Sequence, residues 1–155
     1  MDDDGEILSA DQRRLLETLL EVVIPPSPDG RLPGAGGLGL TDTIVRTVRQ
    51  MPMIRPVLEY GFGALAELAM RRNPDGWTAL TPAERTAVFA EFTATDQFFL
   101  PAFLFLAYSS YYQARPVVEA LGLEARAPHP KGYPMEADDL TLLDAVRRRG
   151  RIYRD

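Results

Sequence analysis

The sequence contains one histidine, His129, and several carboxylates follow it closely along the chain. A histidine beside carboxylates can bind a metal ion or act as the base that activates a nucleophile. Glu136, Asp138 and Asp139 are the nearest acidic residues on its C-terminal side. Pro130 follows His129 directly, so this extended segment offers no ligand pair at helical i, i+4 spacing. Packing or a hydrogen bond between subunits is therefore favoured over metal binding or catalysis, and both interpretations stay open.

Three glycines, Gly34, Gly36 and Gly39, match the spacing G-x-G-x-x-G of dinucleotide-binding loops. In such loops a β-strand leads into the glycines, which let the backbone approach a pyrophosphate. Here the segment Pro25 to Gly30 reads PPSPDG, which is unsuited to a strand. The pattern therefore predicts a loop, either flexible or packed closely against other backbone, rather than a nucleotide site.

An apolar segment from Phe98 to Tyr108 contains no polar side chain apart from the hydroxyl group at its end. It is too short to span a bilayer, which needs about 20 residues, and it suits a helix buried on most sides. Its aromatic residues could line a cofactor pocket, but aromatic residues at helical spacing are more typical of a core. The tyrosines near the end, Tyr111 and Tyr112 included, favour half-exposed positions such as interfaces.

The C-terminal residues 147–154 include five arginines. Basic residues at the end of a helix complement its dipole, and the same arginines can pair with an acidic partner surface. The whole chain has a net charge of −5, and no stretch before this tail is basic. Nucleic acid is therefore disfavoured as the main partner.

The composition predicts a single domain, residues 1–155, because 46% of the residues are hydrophobic and the length allows a sizeable core. Within it we expect residues 1–7 to form a flexible acidic N-terminus. Residues 124–155 are expected to form an extended C-terminal wrap with one short helix. The chain has no cysteine, which excludes disulfides, thiolate metal sites and c-type haem attachment.

Helix start signals recur along the chain, and strand-like alternation is not sustained. Ser9–Gln12 and Thr81–Glu84 have the pattern of capping boxes, the second with a proline in the first turn. Thr41 is predicted to cap a short helix from Asp42 to Gln50. We predict an all-α fold, compact, with five to seven helices around the buried apolar helix and Pro/Gly-rich loops between them. The other predicted helices are Val57–Arg72, Val117–Leu121 and Leu140–Arg149.

Gly61 and Gly63 lie inside the predicted helix Val57–Arg72, where glycine lowers helix stability. We interpret both as the place where another backbone crosses closely. Trp77 comes just after the turn at Asn73–Gly76 and is predicted to fill the edge of the core.

Several longer stretches carry a family resemblance. Residues 8–25 read LSADQRRLLETLLEVVIP, and a Pro/Gly-rich loop with PGAGGLGLTDTI follows. The middle of the chain has LTPAERTAVFAEF, and the C-terminal half has SYYQARPVVEALG, PHPKGYPMEADD and VRRRGRIYR. Together these stretches, from Leu8 to Arg154, resemble the gluconate 2-dehydrogenase subunit 3 family, the small subunits of flavin-dependent sugar and polyol dehydrogenase complexes.

The resemblance implies a non-catalytic small subunit that binds and stabilises or matures a large FAD-binding subunit of the glucose–methanol–choline type. FAD is then expected in the partner, no cofactor in this chain, and a cytochrome as a possible electron acceptor. No membrane span is expected. Many members of the family are exported by a twin-arginine signal on the small subunit. Here the residues MDDD begin directly before the first helix, so either the complex stays in the cytoplasm or an export signal was removed and replaced by a new start. Of these two we expect the cytoplasm.

Two other classes of function remain as alternatives to a subunit role. One is a free-standing acidic adaptor or regulator, and the other is an enzyme that uses His129 and the carboxylates near it.

The contact with the large subunit is predicted in the C-terminal third of the chain. An extended, proline-rich segment has few internal backbone hydrogen bonds, so its polar groups must face water or another chain. The arginines that follow can pair with carboxylates of a partner. The residues predicted near the contact are Tyr111, Tyr112, His129, Tyr133, Arg147, Arg148 and Arg151.

Overall fold

The computed structural model describes residues 7–126 and 137–149. The chain divides into two compact units, Met1–Ala125 and Arg126–Asp155. The described residues contain seven α-helices and no β-strand, which confirms the predicted all-α fold. Six helices belong to the first unit and the last belongs to the second. They are α1 (Ala10–Val23), α2 (Thr41–Gln50), α3 (Arg55–Arg72), α4 (Pro82–Thr93), α5 (Phe99–Tyr111), α6 (Arg115–Ala120) and α7 (Asp144–Arg147).

Capping boxes begin α1 and α4, as predicted. At α1 the Ser9 amide donates to Gln12 Oε1 at 2.8 Å, and the Gln12 amide donates to Ser9 Oγ at 3.2 Å. At α4 the Thr81 amide donates to Glu84 Oε2 at 2.7 Å, and the Glu84 amide donates to Thr81 Oγ1 at 3.3 Å. The amide and hydroxyl of Thr81 also lower the pKa of Glu84, because they stabilise its charged form. Both helices therefore begin where a local side chain satisfies an otherwise unpaired amide.

The prediction that Thr41 caps α2 is wrong. The helix begins at Thr41 itself, after Leu40 in helical geometry. The reason lies in the preceding turn. Residues Gly36–Leu38 form a 3-10 turn, and Gly39 follows with a left-handed φ of 64°, so the chain is already helical at Leu40. The Thr41 hydroxyl is buried and has no hydrogen-bond partner among the described residues.

Other helices differ slightly from their predicted bounds, and α6 begins at Arg115 instead of Val117 and ends at Ala120 instead of Leu121. Helix α3 begins two residues early, at Arg55, and Pro56 lies in its first turn, where a missing amide costs little. The predicted helix Leu140–Arg149 is a 3-10 turn, Leu140–Leu143, followed by α7. Asp139 caps this turn by accepting a hydrogen bond from the Thr141 amide at 3.1 Å.

The core of the first unit forms where α5 packs against α3 and α4. Phe99 is fully buried, and its ring stacks on that of Phe103 with centroids 5.3 Å apart. The same ring meets Phe92 and Phe62 edge-on, at 5.3 Å and 6.0 Å. Such aromatic pairs stabilise a core beyond the area that they bury. Helices α1 and α2 complete it with Leu15, Leu16, Leu19, Leu20, Ile44, Val45 and Val48.

Trp77 fills the edge of this core, as predicted. Its ring is buried, and the indole N–H donates to Thr18 Oγ1 at 2.6 Å. The guanidinium of Arg85 donates to the carbonyl oxygen of Trp77 at 3.3 Å and to that of Thr78 at 3.0 Å. The turn that carries Trp77 is therefore bonded to both α1 and α4.

Helix α5 approaches α3 closely at Gly61. A Cβ atom on Gly61 would lie 1.9 Å from Cδ2 of the Phe99 ring, far inside van der Waals contact. Gly63 has no described atom within 4 Å of the position that its Cβ would take. A close approach at Gly61 is therefore confirmed, but a ring takes the place of the predicted backbone, and the prediction is wrong at Gly63.

Replacing Phe103 with alanine should lower the free energy of unfolding by about 3–5 kcal/mol, because the ring is fully buried. Urea denaturation measures this difference. Phe98→Ala is the matched control from the start of the same helix. Its ring is 77% exposed, so the change should stay within about 0.5 kcal/mol. Equal losses in the two variants would contradict the burial of Phe103.

Gly61→Ala and Gly63→Ala should have opposite effects on stability. The methyl group added at Gly61 must displace the Phe99 ring, which should cost about 1–3 kcal/mol. The methyl group added at Gly63 meets open space, so the better helix former should stabilise the fold by about 0.5–1 kcal/mol. Thermal unfolding followed by circular dichroism should show Tm shifts of opposite sign. Shifts of the same sign would contradict the assigned crossing.

Candidate partner-binding surface

Tyr111, which was predicted near the contact, lies in the core. Its side chain is 2% exposed, and its hydroxyl donates to the carbonyl oxygen of Pro33 at 2.7 Å. Burial raises the pKa of Tyr111, and the neighbouring Tyr112 adds to this shift. The bond attaches the end of α5 to the loop before α2. Any part that Tyr111 has in a partner contact is therefore indirect.

The outer face of α5 is as apolar as the inner one. Exposed residues recur along it every three or four positions, which places them on one side of the helix. We call this set the α5 stripe: Phe98, Pro101, Phe105, Tyr108 and Tyr112. Phe98 is 77% exposed and the other three rings are between 42% and 53% exposed. The rest of the helix is buried or half-buried, as predicted, and this one side faces outward.

Two tyrosines form the C-terminal end of the α5 stripe. The rings of Tyr108 and Tyr112 stack with centroids 6.1 Å apart and planes at 16°. The Tyr112 ring also meets the ring of the buried Tyr111 edge-on, at 5.3 Å and 81°. Tyr112 therefore lies on the surface, as predicted, and its ring packs on the buried ring of Tyr111. The i, i+4 spacing of Tyr108 and Tyr112 places these two rings on one side of the helix, but no sequence signal extends that side back to Phe98.

The remaining residues predicted near the contact lie C-terminal to this unit. His129, Tyr133 and Arg151 fall outside the described residues. Arg147 and Arg148 are exposed at the end of α7. Arg147 Nη1 is 3.3 Å from Asp144 Oδ1, and Arg148 Nε donates to the Asp144 carbonyl oxygen at 3.1 Å. Both arginines therefore contact Asp144 of their own helix, and their role toward a partner stays a prediction.

The carboxylates near His129 form no metal site that can be traced in the described chain. Within residues 7–126 and 137–149, no group of three or more histidines, aspartates and glutamates is placed to hold a metal ion. Glu136, like His129, lies outside these residues. Asp139 accepts hydrogen bonds from the amide and the hydroxyl of Thr141, which lower its pKa. This carboxylate therefore acts as a helix cap.

The loop with the glycine pattern packs against α1. The Gly36 amide donates to Glu21 Oε2 at 2.9 Å, and a Cβ on Gly36 would lie 2.9 Å from the Glu17 carbonyl oxygen. A carboxylate bonded to the Gly36 amide repels an anionic pyrophosphate, so the loop does not suit a dinucleotide. This confirms the predicted loop packed closely against other backbone.

Two surface depressions adjoin α1, with volumes of about 630 Å³ and 490 Å³. In the larger one, Glu21 and Arg85 already bond to the protein, Glu21 to the Gly36 amide and Arg85 to two carbonyl oxygens. The smaller one has the aromatic rings of Phe62 and Trp77 in its wall.

No described helix has the length and hydropathy that a membrane span requires.

Comparison with known protein families assigns this helical unit. Residues 10–121 match the family described as gluconate 2-dehydrogenase subunit 3. The match begins at the first residue of α1 and extends just beyond α6, so it includes the whole α5 stripe. No curated protein and no solved structure shows significant similarity to the chain.

Tyr111→Phe should lower the free energy of unfolding by about 0.5–1.5 kcal/mol at neutral pH, because the Pro33 carbonyl oxygen loses its donor. The raised pKa also predicts a dependence on pH. The neutral hydroxyl stabilises the fold below the unfolded-state pKa of about 10, and this stability is lost as the pH rises through the higher folded-state pKa. Urea denaturation at neutral pH and at about pH 11 measures both effects.

Tyr112→Phe is the matched control for this prediction, because its ring is exposed and carries the same hydroxyl group. It should change the stability by less than about 0.5 kcal/mol. If Tyr111→Phe lost as much stability on going to alkaline pH as the unmodified protein, the assigned role of the buried hydroxyl would be wrong.

Proposed function

Because the chain belongs to the gluconate 2-dehydrogenase subunit 3 family, we propose that it is the non-catalytic small subunit of a flavin-dependent sugar or polyol dehydrogenase. In this role it binds a larger FAD-containing subunit of the glucose–methanol–choline type and stabilises or matures it. The observation that carries the proposal is the match over residues 10–121, which spans nearly all of the described helical unit.

The surface of the helical unit supports a role in a complex. Monomeric proteins rarely expose contiguous apolar patches larger than a few hundred Å². Here the α5 stripe exposes the rings of Phe98, Phe105, Tyr108 and Tyr112 along one side of a single helix. A chain with this surface suits a subunit that is covered by a partner.

The proposal assigns the cofactor to the larger subunit. The one glycine pattern in this chain that resembles a dinucleotide loop is closed by Glu21, which disfavours a pyrophosphate at that place. Oxidation of the sugar or polyol, and transfer of electrons onward to an acceptor such as a cytochrome, are then reactions of the partner. A cytoplasmic location for the complex stays a prediction.

Purification of the tagged full-length chain from its own host tests the proposal. We expect a larger protein to co-purify, with a flavin absorption spectrum and sugar or polyol oxidation measured with an artificial electron acceptor. The chain produced alone in a foreign host should be colourless and inactive in the same assay. Sugar oxidation by the chain alone, or recovery without a flavoprotein under mild conditions, would contradict the proposed function.

The stabilising role has its own measurement. The larger subunit, produced with and without this chain, should differ in soluble yield and in Tm, because a partner that binds only the folded state stabilises that state. An equal yield and an equal Tm in the two preparations would leave a binding role but contradict a stabilising one.

A further inference from the structure

We infer that the α5 stripe is the surface on which the larger subunit docks, with the helix seated in an apolar groove of that subunit. This inference rests on the proposed function and adds to it the contact surface and the chemistry of the partner. It places the main contact on the helical unit, whereas the sequence predicted it in the C-terminal third.

The spacing of the α5 stripe is that of a helix bound in a groove. Its residues occupy positions i, i+3, i+7, i+10 and i+14, counted from Phe98. Amphipathic helices that enter apolar grooves present their anchor residues in this pattern. At 1.5 Å per residue, the stripe is about 20 Å long. One continuous groove can therefore receive all of its side chains.

The helix that carries the stripe is held rigidly by its other face. Phe99 and Phe103, on the inner side, are fully buried and stacked on each other. At the N-terminus, Asp96 Oδ1 accepts hydrogen bonds from the amides of Phe98 and Phe99, at 3.0 Å and 2.6 Å. Docking therefore needs little further ordering of the backbone, which lowers the entropy lost on association.

The chemistry of the stripe defines the surface that it fits. No charged residue occurs between Gln97 and Ala114, so this face offers no ion pair to a partner. It offers aromatic rings, the side chains most enriched at the centres of protein interfaces. The hydroxyls of Tyr108 and Tyr112 can bond polar groups at one end. The complementary surface is an uncharged apolar groove with a polar edge.

The exposed area indicates the kind of partner. With about 150–250 Å² for each aromatic side chain, the exposed fractions give the stripe on the order of 450 Å². A standard interface buries roughly 800 Å² on each side. The stripe is thus large enough to be the centre of an interface with a larger protein, whose remaining contacts come from surrounding surfaces.

A second copy of the chain and a membrane surface fit less well. Two stripes face to face would bury about 900 Å² in total, below the roughly 1,200–2,000 Å² of a specific interface, and the family description as subunit 3 favours a different chain as the partner. Helices that lie on membranes carry lysine and arginine beside their apolar face, which favours anionic lipids. The segment from Gln97 to Ala114 has neither residue.

The double variant Phe105→Gln/Tyr108→Gln tests this surface in the full-length chain, co-produced with the flavin subunit. We expect the retained flavin subunit, identified by mass spectrometry and by its absorption spectrum, to fall by about tenfold or more, as for the loss of central interface anchors. Phe98→Gln/Tyr112→Gln changes only the more exposed ends and provides a second test if the first variant folds poorly. Circular dichroism checks the fold of both.

Met70→Gln is the matched control, because Met70 on α3 is 53% exposed, as is Tyr112. It lies outside the stripe and should leave retention unchanged. If the unmodified chain holds the flavin subunit and both stripe variants do so equally well, the docking surface is wrong and the proposed function stands. If the unmodified chain holds no flavin subunit, the function and the docking surface are both overturned.

Two further measurements examine the other occupants. Light scattering on the unmodified chain should give the mass of a monomer. A dimer that the stripe variants abolish would assign the surface to self-association instead. Flotation with vesicles of phosphatidylcholine and phosphatidylglycerol should leave the chain unbound. Binding that is lost in the stripe variants would assign the surface to a membrane.

Discussion

The Phe99 ring lies in the space that the missing side chain of Gly61 leaves on α3, and much of the helical unit depends on this contact. The same ring also packs against Phe62, Phe92 and Phe103, which belong to α3, α4 and α5. One side chain therefore fixes both the distance between two helices and the rotation of α5 about its own axis. That rotation decides which residues of an apolar helix face the core and which face outward.

Local signals predicted much of the fold, because they act within a few residues. The capping boxes at Ser9 and Thr81 are complete in the sequence and appear unchanged in the structure. The cap at Thr41 failed because the dihedral angles of the preceding turn, rather than the residue type, determine where α2 begins. A local pattern is reliable only where no neighbouring turn competes with it.

The outer face of α5 could not be predicted in this way. Every side of that helix is apolar, so its sequence contains no contrast from which to orient it. Orientation comes from contacts with α3 and α4, which lie outside the helix itself. The same reason explains Tyr111 and Tyr112: the two neighbours looked equivalent in sequence, and one is buried against Pro33 while the other faces outward. Function, in turn, rested on family resemblance, because the recognisable motifs are structural.

In the loop between α1 and α2, one part is hydrogen-bonded to residues outside the loop, and the other part is hydrogen-bonded mainly within itself. Residues 33–36 are anchored by three hydrogen bonds, which join Pro33 to Tyr111, Ala35 to Ile24 and Gly36 to Glu21. Residues 27–32 bond mainly among themselves, with the Ser27 amide donating to the Leu32 carbonyl oxygen at 3.0 Å. Insertions at the tip of this small turn would leave the anchored part untouched. Relatives of different length, or an added epitope, can therefore be accommodated between Ser27 and Leu32 without disturbing the helices.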